Sequence, residues 1–295
     1  MSKVKKLQEL ILESTTLWDF PTQNYGDKPH GNNKYKGVTP AFVIWNLLQR
    51  YTKEGDLVVD PMCGSGTTID VAKELNRKVI GYDLNIVRSD VKKNDARKIP
   101  LEDNSVDFVF IDSPYSDNLD YSDDKRCIGE ISCEKTEFYD ELEKVAKEIH
   151  RILKPNKAMA WLIGDQWIKK KFTPTSFLLY QRLEKLFETI DTICVTRHNQ
   201  TSNTGLWHNR ARRFNFYLRG YKLLFIMKKK SEEETAKPTK LKQKKIELEV
   251  AKERKVFEEK ISAEEVARRI KKHEREFARK LLEPKPQETK QRRKK

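Results

Sequence analysis

Cysteine is scarce in this sequence: Cys63, Cys127, Cys133 and Cys194 are the only four in 295 residues, and no two form a C-x-x-C pair. That spacing supports neither a zinc site nor a disulfide framework, and it suits a chain kept in a reducing compartment. The histidines are scattered as well, so no metal centre is expected. Long apolar runs are missing: none goes much beyond about a dozen residues, short of the roughly 20 that a spanning helix needs. The opening MSKVKKLQELILES has an amphipathic helical period and no cleavage site, which points to a soluble, cytoplasmic protein without membrane attachment.

Aromatic residues all but vanish after Lys230. From Ser231 to Lys295 there are 22 Lys/Arg against 14 Asp/Glu, and residues 1–230 carry 38 against 31. A folded domain over 1–230 and a basic helical tail over 231–295 are therefore expected. In the tail, Ser262 and Glu265 have capping-box spacing between two thin apolar stripes, Ile246, Val250, Phe257, Ile261 and then Val266, Ile270, Phe277, Leu281. This pattern suggests a helical pair that docks on the core or on a partner. The net charge of +15 favours a polyanionic partner, because Lys/Arg contacts to phosphate release counterions. A solvated Lys/Glu-rich surface would give the same balance.

Along 1–230, segments of helical and strand period alternate. TPAFVIWNLLQRY (39–51) reads as a helix with proline at its first position, and DLVVDPMCGSGTT (56–68) as a strand running into a glycine turn. TTIDVAKELN follows as a helix and KVIGYDLN as a strand, which makes a βαβ unit. SVDFVFIDSPY, KAMAWLIGDQW, IDTICVTRH and YKLLFIMKKK are further strands, with KTEFYDELEKVAKEIHRILK and TSFLLYQRLEKLFET as the helices between them. The order predicts a doubly wound α/β sheet, mostly parallel with an antiparallel last strand. The stretch 197–220, RHNQTSNTGLWHNRARRFNFYLRG, has no clear period and reads as a long functional loop.

The candidate chemistry falls at strand ends, where ligands bind in such sheets. Gly64 and Gly66 allow a sharp turn and close backbone approach to a ligand. No lysine follows them, so this is not a triphosphate loop, and with Asp60 ahead of it the turn suits a small zwitterion. Asp83, at the tip of the next strand, is placed to hold a ribose. Asp95, on the loop before the strand that follows, could accept from an adenine amino group.

Together these stretches resemble a known family. DPMCGSGTT resembles the S-adenosylmethionine motif of the DNA amino-methyltransferases, and DSPY (112–115) resembles their catalytic D/N/S-P-P-Y/F motif. GYDLN and NDAR stand between them at the family's spacing, and KYKGVTPAFVIWNLLQRYTKEGDLVVDP resembles its preceding segment. The resemblance, which spans about Trp18 to Lys230, implies a Rossmann-like methyltransferase sheet with S-adenosylmethionine as cofactor. It places Asp60, Met62, Gly64, Ser65, Gly66 and Thr67 around the methionine moiety and Thr39 at its carboxylate. Asp83 and Leu84 fall at the ribose, Asp95 and Ala96 at the adenine, and Asp112, Ser113, Pro114 and Tyr115 at the catalytic positions. Ser113 stands where the family usually has proline. The position supplies only a backbone carbonyl, so catalysis survives the exchange while the turn loses rigidity.

The chemistry accounts for those residue types. An exocyclic base amine is a poor nucleophile because its lone pair is delocalised into the ring. If the Asp112 carboxylate and the Ser113 carbonyl each accept one N–H, the nitrogen moves towards tetrahedral geometry. Tyr115 can stack on a base taken out of the duplex. Adenine N6 is the favoured target because Asp leads the motif, with cytosine N4 as the alternative. None of the cysteines stands at this strand tip, so 5-methylcytosine chemistry is not implied. Arg197, Asn199, Trp207, Arg210, Arg212 and Arg213 are the candidates for reading double-stranded DNA. Further partners implied are a cognate restriction nuclease or a second copy joined through the tail. The competing readings are an RNA or protein amino-methyltransferase and a non-catalytic nucleic-acid binder.

Overall fold

The computed structural model describes residues 10–32, 37–117, 122–198 and 204–230, together with the helical positions 268, 271 and 272. Two compact units divide the chain, Met1–Glu232 and Glu233–Lys295. The expected helical stripes of the tail and the first nine residues lie outside the described residues, and residues 10–14 are irregular rather than helical.

An eight-stranded sheet runs in the order β1 (Leu17–Trp18), β9 (Phe187–Thr196), β10 (Tyr221–Lys229), β6 (Leu153–Ile163), β5 (Val106–Asp112), β2 (Leu57–Asp60), β3 (Lys78–Asp83) and β4 (Val91–Lys93). β10 is antiparallel to both of its neighbours, and the other pairs are parallel. The antiparallel last strand expected from the sequence is therefore present, inserted inside the sheet rather than at its edge. A separate hairpin, β7 (Gln166–Ile168) with β8 (Lys171–Thr173), follows β6.

Side chains alternate across the central strands, as the two-residue period of a strand requires. Phe108 and Phe110 of β5 join Phe42, Val43 and Leu47 of α1 (Ala41–Tyr51) and Val71 of α2 (Thr67–Glu74) on one face. Val109 and Ile111 join Phe138, Leu142, Val145 and Ile149 of α3 (Thr136–Ile152) and Leu179 of α4 (Thr175–Leu183) on the other. With both faces covered, β5 is apolar along almost its whole length.

Several boundaries differ from the sequence reading. Pro40 caps α1 instead of forming its first turn, and α4 ends at Leu183 because Phe187 already belongs to β9. Residues 205–213, expected as irregular loop, form α5 (Gly205–Arg213). Only Ala211 of this helix is buried, so it has no apolar stripe for a sequence pattern to register. No helix among the described residues is long and apolar enough to cross a membrane.

Candidate active site

Three adjacent parallel strands, β3, β2 and β5, each end in an aspartate: Asp83, Asp60 and Asp112. Strand order reverses between β2 and β5, so the three acids stand at the switch point where open sheets bind ligands.

The glycine turn begins directly after Asp60. Gly64 and Gly66 have φ of 48° and 83°, which a side chain would strain. A Cβ on Gly66 would come within 2.7 Å of the Arg88 guanidinium. Arg88 binds the Ser65 carbonyl at 3.2 Å and clasps Asp70 at 2.8 and 2.9 Å. From the N-terminal side, the Gly31 N–H donates to Asp70 at 2.8 Å, and a Cβ there would collide with Thr67 Oγ1 and Ser65 Oγ. Buried His30 meets Glu74 of α2 at 2.8 Å. Residues 30–31 thus close against the glycine turn and α2.

Asp83 Oδ2 accepts the Gly64 N–H at 2.8 Å and Oδ1 accepts the Asn85 N–H at 2.9 Å; burial raises its pKa. Asp60 is deeper still, 3% exposed, and takes bonds from Thr68 Oγ1 at 2.6 Å and the Met62 N–H at 3.1 Å. Burial, reinforced by the nearby Asp83 and Asp112 charges, pushes Asp60 up to about 7 against those two bonds. Beyond Asp83 lies a cavity of about 560 Å³ lined by Leu84, Asn85, Ile86, Lys93, Ser122, Asp123 and Asp124, large enough for a nucleoside. Leu84, the candidate for the ribose, is one of the residues on that wall. Asp95 is not on that wall: both its oxygens are taken by Arg97, at 2.9 and 2.7 Å. Ala96 packs into the core.

At the tip of β5 the Asp112 carboxylate gathers three donors. Tyr115 O–H donates to Oδ1 at 2.6 Å, while Thr39 Oγ1 at 2.5 Å and Lys222 Nζ at 3.2 Å donate to Oδ2. Thr39, the candidate for a ligand carboxylate, thus has its hydroxyl bonded to Asp112. A carboxylate can accept about four hydrogen bonds, so room for one further N–H remains on Oδ1. Ser113 is 2% exposed, and its hydroxyl accepts the indole N–H of buried Trp161 on β6 at 3.0 Å. This bond anchors the turn to β6, and a proline here would leave the Trp161 N–H without this acceptor. Tyr115 lies against Gly164, where a Cβ would come within 3.3 Å of the ring. The Lys222 ammonium is 5.1 Å from the Tyr115 ring centroid, a cation–π arrangement.

Lys222, Trp161 and Arg88 escaped the sequence reading. Lys222 had one signal, a charge placed just before five consecutive apolar residues of its strand, and Trp161 had another, since a buried indole N–H needs an acceptor. Of the candidate DNA contacts, Trp207, Arg210, Arg212 and Arg213 all lie on exposed faces of α5, with Arg210 5.1 Å over Trp207. Arg197 follows β9 and donates its backbone N–H to Gly220 at 2.8 Å; Asn199 lies outside the described residues. Among the described residues, no group of three or more His, Cys, Asp or Glu could hold a metal ion.

The profile of the N6/N4 DNA methylase family matches residues 2–93 and 106–291. The chain belongs to this family of DNA amino-methyltransferases. Individual relatives align over shorter stretches. The Type II methyltransferase M.HpaI of Haemophilus parainfluenzae is 36% identical over 74 residues, 24% of this chain and 22% of that one. The Type II methyltransferase M.HindIII of Haemophilus influenzae is 56% identical over 46 residues, 16% of this chain and 15% of that one. The chain thus spans less than a quarter of the length of either relative. Among solved structures, TrmN from Thermus thermophilus superposes with a TM-score of 0.45 at 18% identity, over 66% of this chain and 50% of that one.

The cofactor of the amino-methyltransferase family is S-adenosylmethionine, which when bound supplies an electrophilic methyl group on a sulfonium. The residues present fit it. The left-handed turn at Gly64 and Gly66 carries no Cβ at either bend, Asp83 offers an acceptor for ribose hydroxyls, and the cavity walled by Leu84 has room for the base. Three carboxylates at neighbouring strand tips also form surroundings suited to a cationic ligand.

Proposed function

We propose that this protein methylates the exocyclic amine of a base in double-stranded DNA, with adenine N6 as target. One observation carries the reading: Asp112, beside the glycine turn and held by Thr39, Tyr115 and Lys222, keeps acceptor capacity for one more N–H. An amine N–H on Asp112 and a second on the Ser113 carbonyl draw the nitrogen towards tetrahedral geometry and free its lone pair. The proton shed after transfer passes to Asp112 or to water. Because the acid is recessed at a strand tip, the base must leave the duplex to reach it, and Tyr115 supports the displaced ring. Asp60, Gly64, Ser65, Gly66, Thr67, Asp83 and Leu84 hold the cofactor, and the α5 arginines contact the duplex. A cytoplasmic location and a cognate nuclease belong to the same reading.

Labelled methyl transfer to duplex DNA, RNA and protein, followed by nucleoside analysis, tests it. N6-methyladenine from duplex DNA is the expected product; N4-methylcytosine would reassign the base, and label found only in RNA would sink the proposal. Asp112→Ala should lower turnover by about 10³-fold, the scale of a lost transition-state hydrogen-bonding group, while calorimetry shows cofactor affinity largely kept.

A further inference from the structure

Six non-glycine residues among those described have positive φ: Asn76, Asn104, Asn156, Asn215, Lys169 and Lys170. Asparagine adopts this conformation readily, whereas in lysine it is uncommon and unfavourable. The two lysines, at φ 48° and 66°, are the whole of the loop between paired residues Ile168 and Lys171. Two-residue hairpin loops with both central residues at positive φ strongly favour Asn-Gly. This chain instead accepts a strained turn and displays Lys169, Lys170 and Lys171 together, all exposed. Residues 166–173 contain no acid, and among the described residues no carboxylate is ion-paired with the three lysines.

The hairpin is also tied to other groups suited to nucleic acid. Trp167 stacks on Phe216 at 6.0 Å and 20°, and Arg219 lies 5.3 Å over Phe172. Both partners follow α5, which carries Arg210, Arg212 and Arg213. Just before the hairpin, Gly164 packs on Tyr115, so β7 starts two residues from the wall of the catalytic site. We propose that the β7–β8 hairpin is a phosphate-binding clamp for duplex DNA. Lys169, Lys170 and Lys171 grip the backbone beside the base to be methylated without reading its sequence, and the strained turn is retained because it aims their charges outward. The inference rests on the DNA methyltransferase reading and adds a surface to it.

Affinity for a labelled duplex of arbitrary sequence, measured over a salt series, tests the clamp. The variant Lys169→Asn/Lys170→Gly installs the favoured turn while removing two charges. Its thermal midpoint should rise, and its slope of log affinity against log salt should flatten by about two units, one for each lost phosphate contact. Should that variant unfold, Lys171→Gln, which leaves the turn alone, should flatten the slope by about one unit. An unchanged slope in a folded variant overturns the clamp, as does flattening seen with RNA but not with duplex DNA. If the native chain binds duplex with a steep slope that the variants flatten, yet transfers no methyl group to it, the clamp stands and the methylation reading falls. If it methylates duplex and the variants keep its full salt slope, the clamp alone falls.

Discussion

The tips of β2, β3 and β5 and the surface around α5 and the β7–β8 hairpin handle charge in opposite ways. At the strand tips three carboxylates are withdrawn from water and each is held by named donors, so their geometry is set before any ligand arrives. Around α5 the charges are cationic, exposed and laid over aromatic rings, Arg210 on Trp207 and Arg213 on Phe214. The first arrangement is insensitive to salt and sensitive to small shifts of position. The second is screened by salt and tolerant of shape, as contacts to a uniform phosphate backbone require. On the proposed function, one polypeptide thus separates chemistry from grip.

That separation predicts different failures. The largest effect expected from the buried side after Asp112 is at Asp83: Asp83→Ala should weaken S-adenosylmethionine binding about 10–100-fold, the worth of hydrogen bonds to a charged group, with the salt slope for duplex unaltered. Isothermal calorimetry and the salt series together check this, and a flattened slope would break the division. Next comes Ser113→Pro, which restores the family's residue yet should lower stability by about 1–3 kcal/mol by orphaning the buried Trp161 N–H. Adding Trp161→Phe should return part of that loss in denaturant titration. Lys222→Met removes one of three donors to Asp112 and should reduce turnover by about tenfold, as expected for one charged hydrogen bond, without moving the thermal midpoint by more than a few degrees. A variant whose steady-state kinetics match the parent's would show that Thr39 and Tyr115 suffice to hold the acid.

The smallest effect concerns pH. Asp60 rises from 3.8 to about 7 in the folded protein, so between those values the native state keeps a proton that the unfolded chain has lost. Stability contributed by this group is present at low pH and falls as pH climbs through that window. The thermal midpoint should therefore fall as pH climbs from about 4 to about 7 and level off above that. Asp60→Asn should flatten that decline, and an equal slope in the variant would assign the effect elsewhere.

Local pattern alone was enough for the alternation of strands and helices, the glycine turn and the aspartates that close β2, β3 and β5. Each of these is written in contiguous residues with a period or a turn signal. The same logic failed for α5 and for the β7–β8 hairpin, because a helix that buries only Ala211 has no stripe to detect, and a Lys-Lys turn carries none of the residues that normally announce one. It failed also where partners are distant in sequence. Lys222 reaches Asp112 across 110 residues and Trp161 reaches Ser113 across 48, and both contacts exist only because β10 and β5 flank β6 in the sheet. Neighbouring residues thus settle which side-chain types end the strands, through local propensity and motif spacing. What holds Asp112, and why serine is acceptable beside it, is a matter of the folded sheet, because strand order, not sequence distance, sets which side chains meet.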